Sequence, residues 1–349
     1  VVNAIQIGER LVGYGHPCFI IAEAGVNHNG DIDNARRLID VASEAGADAV
    51  KFQTFTADRL VTRDAAKAEY QLQNGIHESQ YDMLKRLELS AAAHRELQLH
   101  SADRGLMFLS TPFDEASADF LRQLGIEAFK IASGEITNLS LLGRVAAYGL
   151  PMIVSTGMSN LQEVEQAVST IRDAGNTQLI LLHCVSNYPA DPADVNLRAM
   201  DTMRDKLGVP VGYSDHTLGS EVSVAAVARG ACVIEKHFTL DRDLPGPDHR
   251  ASLEPGELKA MVRAIRNVEA ALGHGLKEPS ASEAAIAAVA RRSLVAAIDI
   301  PAGTTLRDEM IVCKRPGTGL SPAQRPLLIG RTTKTFIRSG DLFSPESVY

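Results

Sequence analysis

Two histidines stand at matching places in the chain. The stretch VPVGYSDHTLGSEVSVAAVARGACVIEKHF holds two short apolar runs, 209–213 and 231–234, on either side of a helical pattern. Each run is followed by a polar triplet that ends in histidine, Ser214-Asp215-His216 and Glu235-Lys236-His237. If both runs are parallel strands joined by a crossover helix, their carboxyl ends are neighbours and the two imidazoles face one cleft. Two neutral imidazoles beside carboxylates suit a divalent metal with positions left open for substrate. A lone histidine there would be read as capping its strand on a nearby carbonyl; two at equivalent ends favour the metal.

Other chemistry-bearing residues fall at corresponding points. Glu23, Lys51, Gln53, Ser110, Thr111, Lys130, Ser133, Ser155, Thr156, His183, Asn187 and Tyr188 all stand at or just past the end of an apolar run. A lysine at such a place is costly to bury unless it meets an anion. Lys51 and Lys130 together with the hydroxyls of Thr111, Ser133, Ser155 and Ser214 point to a pocket for a phosphate and a carboxylate. Two loops belong to the same face. One runs from Thr54 to about Ser79 and offers Tyr70, Gln71 and Asn74; the other carries Asp248 in the turn-rich PGPD.

The elements that must position these residues repeat. Apolar strands are expected at 19–22, 49–55, 106–109, 128–131, 152–154, 179–182, 209–213 and 231–234, with helical patterns between them, for example 32–45, 161–174 and 221–229. Eight strands alternating with helices predict a parallel (β/α)8 barrel, whose active face is built at the carboxyl ends of the strands. A last helix is expected to stop at Gly273. The composition then turns Ala- and Ser-rich through 274–290, a linker with a partly helical end. From Arg291 to Tyr349 short strands between Gly/Pro turns mark a small β-rich domain, in which the turns IPAG and RSGD recur with similar flanks. The expected organisation is thus 1–273, 274–290 and 291–349.

Composition narrows the class. A chain of 349 residues with 45% hydrophobic residues and no apolar run near membrane length fits a globular enzyme. The net charge of −8 argues against nucleic acid as the main partner. The start lacks a charged segment followed by an apolar one, and Cys18, Cys184, Cys232 and Cys313 are scattered without a CxxC pair. A reducing cytoplasm is therefore the expected location.

The motifs EAGVNHNGD, VKFQTF, STPF, KIASGE, STGM, HCVSNYP, GYSDHT, EKHFTLD, PGPDH and KRPGTG, in this order, resemble the sialic acid synthase family. The resemblance spans nearly the whole chain. It implies a TIM barrel followed by an antifreeze-like (SAF) domain, and an enzyme that condenses phosphoenolpyruvate with N-acetylmannosamine or a related 2-acylamino sugar, releasing phosphate. It implies manganese, or cobalt or magnesium, on His216 and His237. It places Lys51, Thr111, Lys130, Ser133, Ser155, Asn187, Tyr188 and Ser214 around phosphoenolpyruvate. Glu23, Gln53, Asp248 and Asn74 fall near the sugar, with Glu23 the candidate catalytic carboxylate. It also implies a domain-swapped homodimer in which Arg315 of the small domain reaches the sugar.

Four rival functions differ in what they require. A legionaminic or pseudaminic acid synthase would use the same apparatus on a 2,4-diacetamido-trideoxy hexose. A Schiff-base aldolase would use Lys51, Lys130 or Lys236 as nucleophile and leave the histidines without a task. A synthase for another keto acid, or a binding protein built on the antifreeze-like domain, would leave Arg315 or the strand-end lysines and histidines unexplained. Proton transfer is open between Glu23 and a water on the metal.

Overall fold

The computed structural model describes residues 4–67 and 78–349. The chain divides into two compact units, Val1–Gly273 and His274–Tyr349. Among the described residues no helix is long and apolar enough to cross a membrane.

The first unit opens with an antiparallel hairpin, β1 (Ile5–Ile7) and β2 (Arg10–Val12). Eight parallel strands follow: β3 (Phe19–Gly25), β4 (Ala49–Thr54), β5 (Met107–Pro112), β6 (Phe129–Ile131), β7 (Met152–Ser155), β8 (Leu179–Cys184), β9 (Val211–Asp215) and β10 (Val233–His237). They form one sheet in the order β5-β4-β3-β10-β9-β8-β7-β6. Its two ends, β5 and β6, pack against each other and complete the (β/α)8 barrel. Helix α1 (Ile32–Ala45) fills the first crossover and stops where Gly46 turns left-handed, with φ 81°.

Most strands run two or three residues beyond the apolar segments that announced them. β9 ends at Asp215 rather than Tyr213, and β10 at His237 rather than Ile234. The cause lies in the pleat, which sends alternate residues to opposite faces of the sheet. Outward residues such as Ile20, Ala22, Val50, Val154 and Leu181 pack against the helices. Inward residues such as Phe19, Ile21, Ala49, Leu109, Ala128, Ile153, Ile180, Leu182 and Val233 form a separate apolar layer inside the barrel, and Ile5, Ile7 and Val12 of the hairpin join it. The next inward position on each strand is polar, so the apolar run ends while the strand continues.

After β4 the chain makes a long excursion. It contains a short helix, α2 (Ala57–Leu60), and α3 (Gln80–Leu87), and Tyr70, Gln71 and Asn74 lie outside the described residues. Val26, Phe55, Met83 and Leu87 form a small buried cluster here, with Leu60, Leu84 and Phe113 packed on it. The last barrel helix runs from Pro255 to Leu272.

In the second unit a helix covers Glu283–Ala290, and β11 (Ser293–Ala296) pairs antiparallel with β12 (Ile311–Lys314). The two similar turns are related by a local pseudo-twofold. Ile300 and Ile337 exchange backbone hydrogen bonds at 2.8 and 2.9 Å. The Gly303 amide donates to the Thr333 carbonyl and the Gly340 amide to the Ala296 carbonyl, both at 2.8 Å. Each acceptor lies four residues before the isoleucine of the other turn. Both glycines adopt positive φ, 78° and 93°, which suits a residue without Cβ.

Candidate active site

The polar inward residues line a cavity of about 400 Å³ at the carboxyl ends of the strands. Its floor carries Glu23 from β3, Lys51 and Gln53 from β4, Thr111 from β5, Lys130 from β6, Ser155 from β7, Cys184 from β8, Ser214 from β9 and Glu235 and His237 from β10; His216 follows β9 directly. The parallel registers set His237 opposite Glu23 and Glu23 opposite Lys51. A register shift between Glu23 and Gly25 bends β3 at this point. A Cβ on Gly25, which has φ 52°, would stand 3.2 Å from Glu23 Oε1, 3.4 Å from Gln53 Nε2 and 3.6 Å from His237 Cε1. The missing side chain lets these three groups converge.

Four buried charged groups interlock. Lys51 Nζ lies 2.8 Å from Glu23 Oε2 and 3.6 Å from Glu235 Oε2, and it donates to Thr111 Oγ1 at 3.2 Å. Lys130 Nζ lies 3.3 Å from Glu235 Oε1 and donates to the Ile131 carbonyl. Ser214 Oγ donates to Glu235 Oε1 at 2.9 Å. Burial raises both carboxyls, but for Glu235 the two lysines and Ser214 outweigh it and hold the group below the usual range. Glu23 rises to about 7, through burial first, opposed by Lys51 and assisted by Glu235. Burial lowers Lys130 despite Glu235. With Glu235 ionised and Glu23 able to hold a proton near neutrality, the two ammonium groups exceed the negative charge around them. The floor is therefore set to take an anion.

His216 and His237 face each other with ring centroids 5.5 Å apart. His216 Nδ1 pairs with the Val185 carbonyl at 2.6 Å, which leaves Nε2 with the lone pair when the ring is neutral. Tyr188 packs on His216 with the rings tilted by 34° and centroids 4.1 Å apart, and it meets His237 edge-on at 5.5 Å, holding both rings in place. His237 Nδ1 is buried without a hydrogen-bond partner among the described residues, and Asp248 Oδ2 is 4.0 Å away. Burial, then His216 and Lys51, hold His237 well below its usual range, so its ring is neutral. His216 shifts the other way: burial lowers it, but Cys184 and the Val185 carbonyl lift it further. Among the described residues no group of three or more His, Cys, Asp and Glu is arranged as a metal cage. Ring nitrogens of His216 and His237 are the donors that could hold a divalent ion here.

Twelve of the expected site residues line this one cavity: Glu23, Lys51, Gln53, Thr111, Lys130, Ser133, Ser155, Tyr188, Ser214, His216, His237 and Asp248. Asn187 does not; it is exposed, while its neighbours Ser186 and Tyr188 face inward. Asn74 lies outside the described residues and Arg315 belongs to the second unit. Five strand-end residues also lie outside the lining. Ser110 joins Thr54 and His94 in a buried network, Thr156 Oγ1 donates to the Leu182 carbonyl, and His183 pairs with the Val195 carbonyl. Asp215 and Lys236 bind each other on the outer side of the sheet. Cys184 lines the cavity without having been singled out as a site residue, and Glu235, named in the polar triplet before His237, lines it as two-residue alternation from His237 requires.

A family profile described as the NeuB family matches residues 38–277, and one described as the SAF domain matches 291–348. The chain belongs to the NeuB family. This is the sialic acid synthase family that the ordered motifs resemble, and the chain is an enzyme of it. It is 51% identical over 338 residues to the N,N'-diacetyllegionaminic acid synthase of Legionella pneumophila, covering 95% of each chain. It is 48% identical to the N,N'-diacetyllegionaminic acid synthase of Campylobacter jejuni, covering 91% of this chain and 96% of that one. The crystal structure of N-acetylneuraminic acid synthetase from Leptospira borgpetersenii is similar at 39% identity and a TM-score of 0.72, over 81% of this chain and 94% of that one.

Proposed function

We propose that this NeuB-family enzyme condenses phosphoenolpyruvate with a 2,4-diacetamido-2,4,6-trideoxy hexose of mannose type and water, giving a legionaminic-type nonulosonic acid and phosphate. The observation that carries the reaction class is the convergence of Lys51, Lys130, Glu23, Glu235 and two histidines on one cavity floor. The acceptor is drawn from the two relatives at 51% and 48% identity, both named for N,N'-diacetyllegionaminic acid. N-acetylmannosamine, the acceptor expected first from the motifs, becomes the second reading. It is favoured by the resemblance to the neuraminic acid synthetase at 39%.

The residues divide the work. Lys51, Lys130, Ser133 and Ser155 neutralise and orient the phosphate and carboxylate of phosphoenolpyruvate; Ser155 Oγ is buried with no partner among the described residues. C3 of phosphoenolpyruvate attacks the aldehyde carbon of the open-chain sugar. Water then adds at C2, and the C–O bond to phosphate breaks. Glu23 sits between His237 and Lys51 and has a pKa near 7, so it can give a proton to the new alkoxide or take one from the attacking water. His216 and His237 would hold a divalent ion, manganese, cobalt or magnesium, which when bound supplies Lewis-acid polarisation of the aldehyde. Asp248 and Gln53 lie where they can position sugar hydroxyls.

The Schiff-base reading loses its support here. Lys236 points away from the cavity, and Lys51 and Lys130 are held by carboxylates. A homodimer in which Arg315 serves the acceptor, and a cytoplasmic location suited to four free cysteines, remain part of the proposal. Phosphate release is the direct test, measured with phosphoenolpyruvate and each acceptor in parallel. Release with neither acceptor would remove the proposed reaction, and release with N-acetylmannosamine alone would replace the acceptor.

A further inference from the structure

The cavity is polar on its floor but not on all its walls. Above β6, β7 and β8 the lining mixes Ser133, Gly134, Ser186 and Tyr188 with Ala132 and Met158, beside the lysine and hydroxyls of the anion site. Above β3, β4 and β5 it comes from Val26, Leu60, Val61, Met83, Leu84 and Phe113, with Gln80 the polar residue among them. Val26 and Met83 are buried, whereas Leu60, Val61, Leu84 and Phe113 are half-buried and present apolar surface to the cavity. The lysines of the lining, Lys51 and Lys130, both lie on the floor, so the described part of this wall offers no cation.

We infer that Leu60, Val61, Leu84 and Phe113 form a specificity wall that selects acceptor sugars whose terminal carbon is a methyl group, against those carrying a hydroxyl or a phosphate there. The inference rests on the proposed condensation. The reacting carbon of the open-chain sugar is C1, which must lie on the floor beside Glu23 and the histidines. C6 is the carbon farthest from it, and on the β3–β5 side that end of the sugar rises along the wall. A methyl there leaves water for an apolar surface, which is favourable. Among the described wall residues a hydroxyl finds the Gln80 amide as its one polar neighbour and is otherwise desolvated against carbon, and a phosphate meets no cation.

The test uses two acceptors that differ by one oxygen, N-acetylmannosamine and its 6-deoxy form, with N-acetylmannosamine 6-phosphate as a third. Phosphate release is followed with metal-loaded full-length enzyme. The wild type should favour the 6-deoxy sugar in kcat/KM by about 10- to 100-fold, the range by which an apolar pocket discriminates against an added hydroxyl. The 6-phosphate should be poorer still. Val61→Thr, which keeps the side-chain shape, and Leu84→Gln should each shrink the 6-deoxy preference by roughly 3- to 10-fold while the KM for phosphoenolpyruvate stays unchanged. If Leu84→Gln melts early, Val61→Thr alone decides. Equal turnover of the first two sugars, preference for the 6-phosphate, or an unchanged ratio in Val61→Thr overturns the wall and leaves the condensation standing. Failure of every acceptor, the diacetamido sugar included, overturns the condensation itself.

Discussion

Lys236 Nζ lies 3.0 Å from Asp215 Oδ2, and neither side chain has any exposed surface. Both residues are the outward neighbours of the cavity histidines, Asp215 before His216 and Lys236 before His237. Asp215 also accepts from the Thr217 amide at 2.9 Å, from Thr217 Oγ1 at 2.8 Å and from Ser223 Oγ at 2.6 Å, while Lys236 Nζ donates to the Thr217 carbonyl. The pair ties β9 to β10 behind the histidines. Removing one member of a buried pair strands the other. Asp215→Ala leaves a buried ammonium with the Thr217 carbonyl alone and should lose about 3–5 kcal/mol of stability. Lys236→Met leaves a carboxylate that keeps three donors and should lose less. Urea denaturation of both variants checks the order, and the reverse order would contradict the assigned hydrogen bonds.

The same alternation explains what was legible in the sequence and what was not. The barrel could be read because each strand carries an apolar segment for its inner layer or its helix-facing side, separated by helical periodicity. The motif resemblance supplied the pocket residues. Position along the chain, however, groups Ser214, Asp215 and His216 together, whereas the pleat sends the first and third inward and the second outward. Reading by position puts Glu235 and Lys236 alike on the active face for this reason, although Lys236 points the other way. The hairpin Ile5–Ile7/Arg10–Val12 is too short for a periodic signal, so the closure of the barrel floor was not foreseen. The apolar wall was hidden because its members come from separate segments, 26, 60–61, 83–84 and 113, that meet only in the fold.

The histidine pair should bind a divalent ion. Manganese titrated calorimetrically into chelator-treated protein is expected to bind, and His216→Ala and His237→Ala should each weaken binding strongly and abolish turnover. Activity of the wild type should vanish with chelator and return with manganese, or with cobalt or magnesium in its place. Full turnover by protein shown metal-free by elemental analysis would falsify this assignment.

The lysines should govern the anion and not the sugar. Replacing either Lys51 or Lys130 by Met removes one charge-assisted contact, worth about 1.5–3 kcal/mol, or roughly one to two decades in affinity. The KM for phosphoenolpyruvate should rise accordingly in initial-rate measurements, with a much smaller change for the acceptor. Lys51→Met should also cost stability, because it takes the ammonium from Glu23 and leaves Glu235 with Lys130 and Ser214. A change confined to the acceptor KM would move the phosphate pocket elsewhere.

Glu23 should make the substrate-free enzyme less stable as pH rises. Its carboxyl titrates at about 7 in the folded chain against 4.5 ordinarily. Between these values the folded state holds a proton that the unfolded state has released, so unfolding gains with each step up in pH. The stabilising contribution is complete below pH 4.5 and is lost as pH passes through 7. Glu23→Gln keeps the shape and a hydrogen-bonding amide but carries no such proton. Its stability relative to wild type should therefore climb from pH 4.5 to about 7 and then level off, by on the order of 2–3 kcal/mol. Asp248, raised to about 6 chiefly by burial, contributes in the same direction to both proteins and cancels in the difference. Denaturation curves at matched pH for the two proteins measure that difference directly. A flat difference would mean that Glu23 is ionised at the bottom of the cavity throughout. Proton transfer to the new alkoxide would then have to come from another group.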